Sequence, residues 1–401
     1  MIPRKVLDIG WRDLGYACVR SIWPGRGDAA ARLEAGWGPP GHVLATLSVR
    51  SGFDLYLQAL ALPEGSEVLV SAVTIRDMVA IIELSGLKAV PVDIDPATCA
   101  PRLDALERAV TPRSRVLVVA HLFGARVPMA PIAAFAKRHG ILLVEDCAQA
   151  YAADGYRGHA GTDLAMFSFG PIKTATALGG GILVFRDAAS RATLGRRQAA
   201  YPLQSRRAFL RRVVFYMVLK MLNRRPVYSL FAAACRWAGR SHEAIIAASV
   251  RGFGSGDLLA QLRHRPGHAL LALMHRRVRG HDRRRIASRI EAGRSLVSQL
   301  PAGIVPAAEA EPHVHWVLPV QCSEPERLVW YLLRHGYDAT RGATSLFALP
   351  PATGMSDAQR MMARLVYLPL DDTTPAERSD LARRVGDFLA ADTRIGVPAQ
   401  G

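Results

Sequence analysis

Lysine is scarce in this chain: it stands only at 5, 88, 137, 173 and 220, among 51 basic residues. Acid is absent from one long stretch. No Asp or Glu occurs between Asp187 and Glu243, where twelve Arg or Lys fall, and residues 251–289 set ten Arg against Asp257 and Asp282. Basic stretches without acid cannot neutralise themselves, so they point to a polyanion or an anionic membrane surface. The five cysteines (18, 99, 147, 235, 322) are scattered and odd in number. They exclude a disulfide framework and a thiolate metal cluster, and they fit a reducing cytoplasm. Cys147 reads as a small core residue. No run approaches the roughly 18 to 20 apolar residues of a membrane span. No apolar segment follows Arg4 and Lys5, so no signal peptide is expected. A phosphate-binding P-loop, a dinucleotide glycine fingerprint, a base-reading motif and internal repeats are also missing, so nucleic acid is not an expected partner.

What is present can bury a large core: 401 residues, half of them hydrophobic. Short apolar runs at 43–49, 67–71, 89–92, 115–120, 141–144 and 182–185 alternate with helical patterns at 55–62, 76–85, 102–110 and 130–138. That rhythm predicts an α/β fold with a mostly parallel central sheet covered on both faces. Ligands then gather at the carboxyl ends of the strands. Ser51, Thr74, His121, Asp146 and Ser168 all fall at or just past such ends. The pattern divides into an N-terminal arm (1–40), a large domain (41–300) with a basic apolar insertion (203–238), and a smaller C-terminal α/β domain (301–401).

The densest chemistry lies between 141 and 185. An apolar run ends in Glu145-Asp146. A second run carries Phe167-Ser168-Phe169, then Lys173, then Gly179-Gly180-Gly181. An acid, a hydroxyl and an amine at these spacings are what pyridoxal phosphate (PLP) chemistry needs. The amine makes the Schiff base, the acid pairs with the pyridine nitrogen, and the hydroxyl helps hold the phosphate. Plain alternatives are a turn lysine and a helix-capping aspartate. Ser51-Gly52 before a helix aims backbone N–H groups at an anion, although such pairs are common. His264/His268 and His313/His315 have metal-like spacing, but no carboxylate or cysteine recurs with them, so no metal site is assigned.

These residues resemble the DegT/StrS-type family of PLP-dependent sugar aminotransferases. The matching segments are Glu145-Asp-Cys-Ala-Gln-Ala150, Phe167-Ser-Phe169 and Lys173. The resemblance implies PLP fold type I, a homodimer, glutamate as amino donor, and a nucleotide-linked keto-sugar as acceptor. It makes Lys173 and Asp146 the catalytic pair. It surrounds PLP with Ser51, Gly52, Phe53, Ile75, Asp146, Gln149, Ser168 and Lys173, with Gln149 beside the phenolic oxygen. Lysine at 173, where the family's dehydratases carry histidine, favours amino transfer. His121, in Ala120-His-Leu-Phe-Gly124, resembles a family turn and reads equally as a site or a structural residue.

The chain departs from the family in three places. Phe53 replaces a threonine. Ile75 replaces an aromatic residue that would stack on the pyridine ring. No Asn-Tyr-Arg motif reaches across the dimer to the phosphate; the counterpart is Leu262-Arg-His-Arg265, where His264 or Arg265 would serve. The insertion carries Phe209–Leu222, apolar almost all round, and Val227–Trp237. It reads either as a peripheral contact with an anionic membrane, which makes a lipid-linked acceptor an expectation, or as a helical pair packed within the protein. Two rival functions stay open: a PLP-fold protein that binds a membrane or partner without catalysis, and a PLP enzyme of another reaction type.

Overall fold

The computed structural model describes residues 1–395 apart from 24, 26, 223, 238–255 and 352. The last residue of the predicted insertion, 238, lies outside the described residues. In chain order the elements are α1 Trp11–Ile22, α2 Ala29–Ala35, β1 Val43–Thr46, α3 Val49–Leu60, β2 Glu67–Ser71, β3 Val73–Ile75 and α4 Arg76–Leu84. Next come β4 Lys88–Val92, α5 Leu103–Ala109, β5 Ser114–Ala120, α6 Met129–Arg138, β6 Leu142–Asp146, β7 Leu164–Ser168 and β8 Gly181–Phe185. Then follow α7 Ala188–Ala199, α8 Arg206–Leu222, α9 Arg225–Trp237, α10 Leu258–Leu262, α11 His268–Gly280 and α12 Arg283–Val297. The C-terminal part holds β9 Leu318–Gln321, α13 Pro325–Arg334, β10 Leu346–Ala348, α14 Asp357–Arg364, β11 Leu365–Leu368 and α15 Pro375–Ile395.

The main sheet has seven strands in the order β1-β8-β7-β6-β5-β2-β4. Strands β4, β2, β5, β6 and β7 run parallel, and β8 runs antiparallel to both its neighbours. Burial on both faces explains why their sequences are continuous Val/Leu/Ile runs rather than alternating ones. The expected mostly parallel α/β sheet is therefore present. Two small antiparallel ladders complete the sheet structure. One pairs β3 with β10, and the other pairs β9 with β11 in the C-terminal part.

The helix after β1 starts earlier than expected. The helix expected over 55–62 begins at Val49, because Ser48 caps it by accepting the Ser51 N–H, and ends at Leu60, with Ala61 as its left-handed cap. Within the expected N-terminal arm, Trp11–Ile22 and Ala29–Ala35 are helical. Ile9, Leu14, Leu33 and Trp37 share one core cluster with Phe167, Phe169 and Ile182 of the main sheet region. Trp37 packs edge-on against Phe167 and Phe169, with centroids 5.3 and 5.6 Å away. These contacts brace the end of β7, from which the lysine loop springs.

The insertion packs with one of its faces. Phe209, Val213 and Tyr216 of α8, at helical spacing, are buried in that same cluster. Arg225 of α9 pairs with Glu377 at 2.6 Å, which ties the insertion to α15.

Candidate active site

Four strand ends meet along one edge of the sheet. Ser168 lies opposite Gly181, Gly181 opposite Thr46, and Asp146 opposite Met166. Asp146, Ser168, the glycine turn and the start of α3 are thus neighbours because of register, although they are far apart in sequence. Asp146 Oδ1 accepts the Ala148 N–H at 3.0 Å. Burial pushes the Asp146 carboxyl up, and the Ala148 N–H and the charge of Lys173 draw it partly back.

Glu145 points to the opposite face, as strand alternation requires. Its carboxylate accepts from Tyr156 Oη at 2.6 Å, from the His159 N–H at 2.6 Å, and from Thr162 Oγ1. His121 Nε2 lies 2.9 Å from it. The Val127 N–H donates to His121 Nδ1 at 3.0 Å, so the proton of the neutral ring is on Nε2 and faces Glu145. Burial raises the Glu145 carboxyl, but these donors outweigh it and hold it down at about 2. His121, Glu145 and Cys147 form a buried group with metal-ligand chemistry. Glu145 accepts from His121 Nε2 and from the Cys147 thiol, and His121 Nδ1 accepts the Val127 N–H, so the group reads as the rivet that fixes β6 and its neighbour Asp146. His121 thus spends both ring nitrogens on Glu145 and the Val127 N–H.

The lysine loop is held from both sides. Lys173 N–H bonds to the Gly170 carbonyl at 3.0 Å, and Thr176 Oγ1 donates to the same carbonyl at 2.6 Å. Asp8, from the N-terminal segment, accepts the Ala175 N–H at 2.7 Å. Lys173 Nζ sits over the Trp316 ring, 4.1 Å from its centroid. Lys5 Nζ lies over the same ring at 5.1 Å and donates to the Trp316 carbonyl. Burial lowers the Lys173 amine to about 7, opposed by Asp146 and helped by the charges of Arg50 and Lys5. Burial likewise lowers Lys5 to about 8. A neutral amine near pH 7 is the nucleophilic form.

Trp316 is placed by a close approach. Gly124 has a φ of +105°, and a Cβ there would lie 2.5 Å from the Trp316 nitrogen. The Val314 N–H bonds to the Gly124 carbonyl at 2.8 Å. Gln149 Oε1 accepts the Phe123 N–H at 2.9 Å, so the same turn is tied to the segment after Asp146. Gln149 keeps its Nε2 N–H groups to offer a ligand. His313 and His315 stack at 4.0 Å, and burial lowers them to about 3 and about 4.

The start of α3 differs from expectation. In its first turn the Ser51 N–H goes to Ser48 Oγ and the Gly52 N–H to the Ser48 carbonyl, so neither is left for an anion. Ser51 Oγ lies 3.0 Å from Ser48 Oγ. Gly52 is required by packing, since a Cβ there would come within 2.8 Å of Leu183. The Phe53 side chain, expected at the site, is fully buried between α3 and the sheet, where its burial is worth roughly 1.5–3 kcal/mol. Ile75 ends β3 opposite Leu346 and packs at the margin of the same cluster. His264 and Arg265 lie on a segment bridged to Leu203, and no described contact joins them to Lys173 or Asp146.

Several residues were not singled out from sequence. Arg212, from α8 in the insertion, donates to the Leu178 carbonyl at 3.2 Å beside the glycine turn. Burial lowers its guanidinium, and the charge of nearby Arg50 lowers it further. Arg50 in turn pairs with Asp77. Lys5, Arg289 and Trp316 form another group around Lys173. Their only sequence signal was basic or aromatic type at remote positions, which carries no spacing information. A cleft of about 360 Å³ opens at Lys173 between the N-terminal segment, α12 and residues 370–378.

Residues 20–199 match the model of the DegT/DnrJ/EryC1/StrS aminotransferase family. The erythromycin biosynthesis sensory transduction protein EryC1 of Saccharopolyspora erythraea is 36% identical over 189 residues, which are 44% of this chain and 51% of that protein. A pleiotropic regulatory protein of Geobacillus stearothermophilus is 36% identical over 168 residues, 40% of this chain and 45% of that protein. The chain spans about half the length of these relatives. Among solved structures, the aminotransferase TlmJ from Streptoalloteichus hindustanus aligns with a TM-score of 0.71 at 19% identity, covering 98% of this chain and 99% of that one. The sugar aminotransferase CalS13 from Micromonospora echinospora aligns with a TM-score of 0.68 at 21% identity, covering 96% and 100%. The family resemblance is thus borne out over 20–199, and the fold over nearly the whole chain.

Proposed function

We propose that the protein is a PLP-dependent aminotransferase, moving an amino group from an amino acid to a keto or aldehyde group of a nucleotide-sugar or lipid-linked acceptor. The family resemblance makes glutamate the expected donor. One observation carries the reading: an amine lowered to about 7 and a desolvated carboxylate share the edge where β6, β7 and β8 meet. When bound, PLP supplies an electrophilic carbonyl and a ring that takes up electrons.

The residues fit that group. Asp146 would hold the proton on the ring nitrogen, because a buried carboxylate favours a cationic N–H partner. Lys173 Nζ would hold the carbonyl carbon and, once displaced by the incoming amine, carry a proton at the substrate carbon. The Val49 N–H at the start of α3 and Ser168 Oγ would donate to the phosphate, with the charges of Arg50 and Arg212 beside them. Ser51 and Gly52 would act through the cap that shapes this turn. Gln149 would donate from Nε2, and Ile75 would offer an aliphatic face.

Borohydride reduction of the PLP-loaded protein, followed by peptide mass mapping, tests the assignment. The label is expected on Lys173; a label on another lysine overturns it. The attachment rate should rise with pH through about 7, since the reactive amine is the deprotonated one. A rate that rises only near the ordinary lysine range contradicts the role given to burial. A non-catalytic PLP-fold protein would keep the label yet move no amino group from any donor. A homodimer belongs to the proposal, and sedimentation of the loaded protein tests it.

A peripheral contact with anionic membrane is a second proposal, resting on the outer face of α8. Val214, Val218 and Met221 repeat at helical spacing and are exposed, as are Arg207 and Arg211. Leu230 and Trp237 of α9 are exposed too, Trp237 by 93%. No helix among the described residues is long and apolar enough to cross a membrane. Apolar side chains flanked by arginine suit an anionic bilayer surface. Flotation with liposomes containing phosphatidylserine, partly reversed by salt, is the expected result.

A further inference from the structure

Three separate parts of the chain converge on the glycine turn after Lys173. Ser168, at the end of β7, lies opposite Gly181. The start of α3 closes in on the same residue: a Cβ at Gly181 would lie 2.7 Å from the Val49 nitrogen. The insertion comes from the third side. Arg212 of α8 donates from Nη1 to the Leu178 carbonyl at 3.2 Å, and a Cβ at Gly179 would lie 3.5 Å from that nitrogen. Packing fixes where Arg212 stands. It follows Phe209 and precedes Tyr216 at helical spacing, and Phe209, Val213 and Tyr216 are buried in one cluster with Ala175, Ala177 and Leu178 of the lysine loop.

These groups have the chemistry of an anion site. A hydroxyl and a helix start supply neutral donors, which leave a doubly charged phosphate short of positive charge. Arg50 pairs with Asp77, which offsets its charge. The Leu178 carbonyl, by contrast, accepts from Arg212 without cancelling its charge. Burial and the nearby charge of Arg50 both act against the Arg212 cation. An oxyanion at the turn would relieve both effects. A guanidinium carries five N–H donors in one plane, so it can hold a carbonyl and a phosphate oxygen together. His264 and Arg265, expected to serve the phosphate, lie on a segment whose Arg265 N–H and carbonyl bond to Pro202 and Gln204.

Resting on the PLP reading, we propose that Arg212 is the charged holder of the PLP phosphate and acts within its own chain: the insertion supplies in cis the group that the family resemblance places on a second copy. Arg212 binds and orients, and it takes no part in bond making. The assignment gives a reason for a cation on the otherwise apolar inner face of α8. It also makes the insertion part of the cofactor site, with its outer face left for other contacts.

Titration with PLP and with pyridoxal, which lacks the phosphate, tests the assignment. Covalent attachment at Lys173 is read by absorption and by borohydride trapping. Arg212→Gln should weaken PLP about tenfold or more, as expected for a charge-assisted contact, and leave pyridoxal unchanged. Arg212→Lys keeps the charge but loses the planar fork, so it should fall between. It carries the test if melting shows that Arg212→Gln does not fold. Equal losses for PLP and pyridoxal overturn the proposal, because Arg212 would then only shape the turn through Leu178. Unchanged PLP affinity overturns it too. Co-expression of Arg212→Gln chains with Lys173→Ala chains tests the source of the charge. Attachment at the remaining Lys173 should stay weak; recovery to wild-type affinity would put Arg212 in the partner's site and overturn the cis assignment. A wild-type protein that attaches neither compound at Lys173 defeats the PLP reading, and this inference with it.

Discussion

The sheet edge at Asp146–Lys173 and the insertion helices α8 and α9 are both rich in charge and apolar residues, yet they are built on opposite terms. At the edge Glu145 is fully buried, Asp146 and Lys173 are half-buried, and their charges are set by few neighbours. Glu145 is held at about 2 by four donors, and Lys173 is brought to about 7 mainly by burial. On α8 the inner face is core, while the outer face leaves apolar side chains and arginines in solvent. The difference teaches where a substitution is felt. Low dielectric magnifies a single charge at the edge, and solvent screens it on the helix.

The largest break in this contrast is expected at Lys173. Lys173→Ala should abolish covalent PLP attachment and lower turnover on the order of 10²–10⁴-fold or more while the protein stays folded, read by absorption and by amino transfer from glutamate. Asp146→Asn comes next. Losing the carboxylate should cost on the order of 10²–10³-fold in turnover, with PLP still bound. Near-normal turnover would remove Asp146 from the mechanism.

Glu145→Gln tests structure rather than chemistry. Its folded-state value lies below the ordinary carboxyl range, so its contribution is full above about pH 4.5 and is lost as pH falls toward 2. The variant should be less stable by roughly 2–4 kcal/mol near neutrality and should converge on wild type near pH 2, measured by urea unfolding across pH. A constant gap at all pH values would refute the ionised network. The smallest effect belongs to the helix. Val218→Glu should change stability within about 0.5 kcal/mol, as surface substitutions do, while reducing flotation with anionic liposomes. A large loss of stability instead would mean that the outer face is packed against something, a second copy included.

Much of the edge was legible because it obeys local rules. Apolar runs of strand length, an acid at the end of one and a hydroxyl at the end of the next locate Asp146 and Ser168. Strand register then makes them neighbours. Lys173 is legible from its place between Ser168 and the glycine turn. The start of α3 was misplaced because its apolar pattern begins at Leu55, whereas the helix begins where Ser48 can cap it, and the difference commits the Ser51 and Gly52 N–H groups to Ser48. Phe53 looked like a site residue by position, but the 100° turn per residue of a helix carries it into the core.

By itself, then, the sequence determined the strand and helix alternation, the identity of the acid, hydroxyl and amine, and the unbalanced charge of residues 188–242. Those are properties of short segments, and short segments carry them wherever the chain goes. Only the tertiary structure decided that Lys5 and Trp316, 311 residues apart, meet over Lys173, that Arg212 of the insertion reaches the glycine turn, and that Arg378 and His281 face one cleft. No periodicity encodes such meetings, because they depend on how whole layers pack: burial of α1, α8 and α11 in one core, and docking of 313–317 onto the Gly124 turn, bring those side chains together.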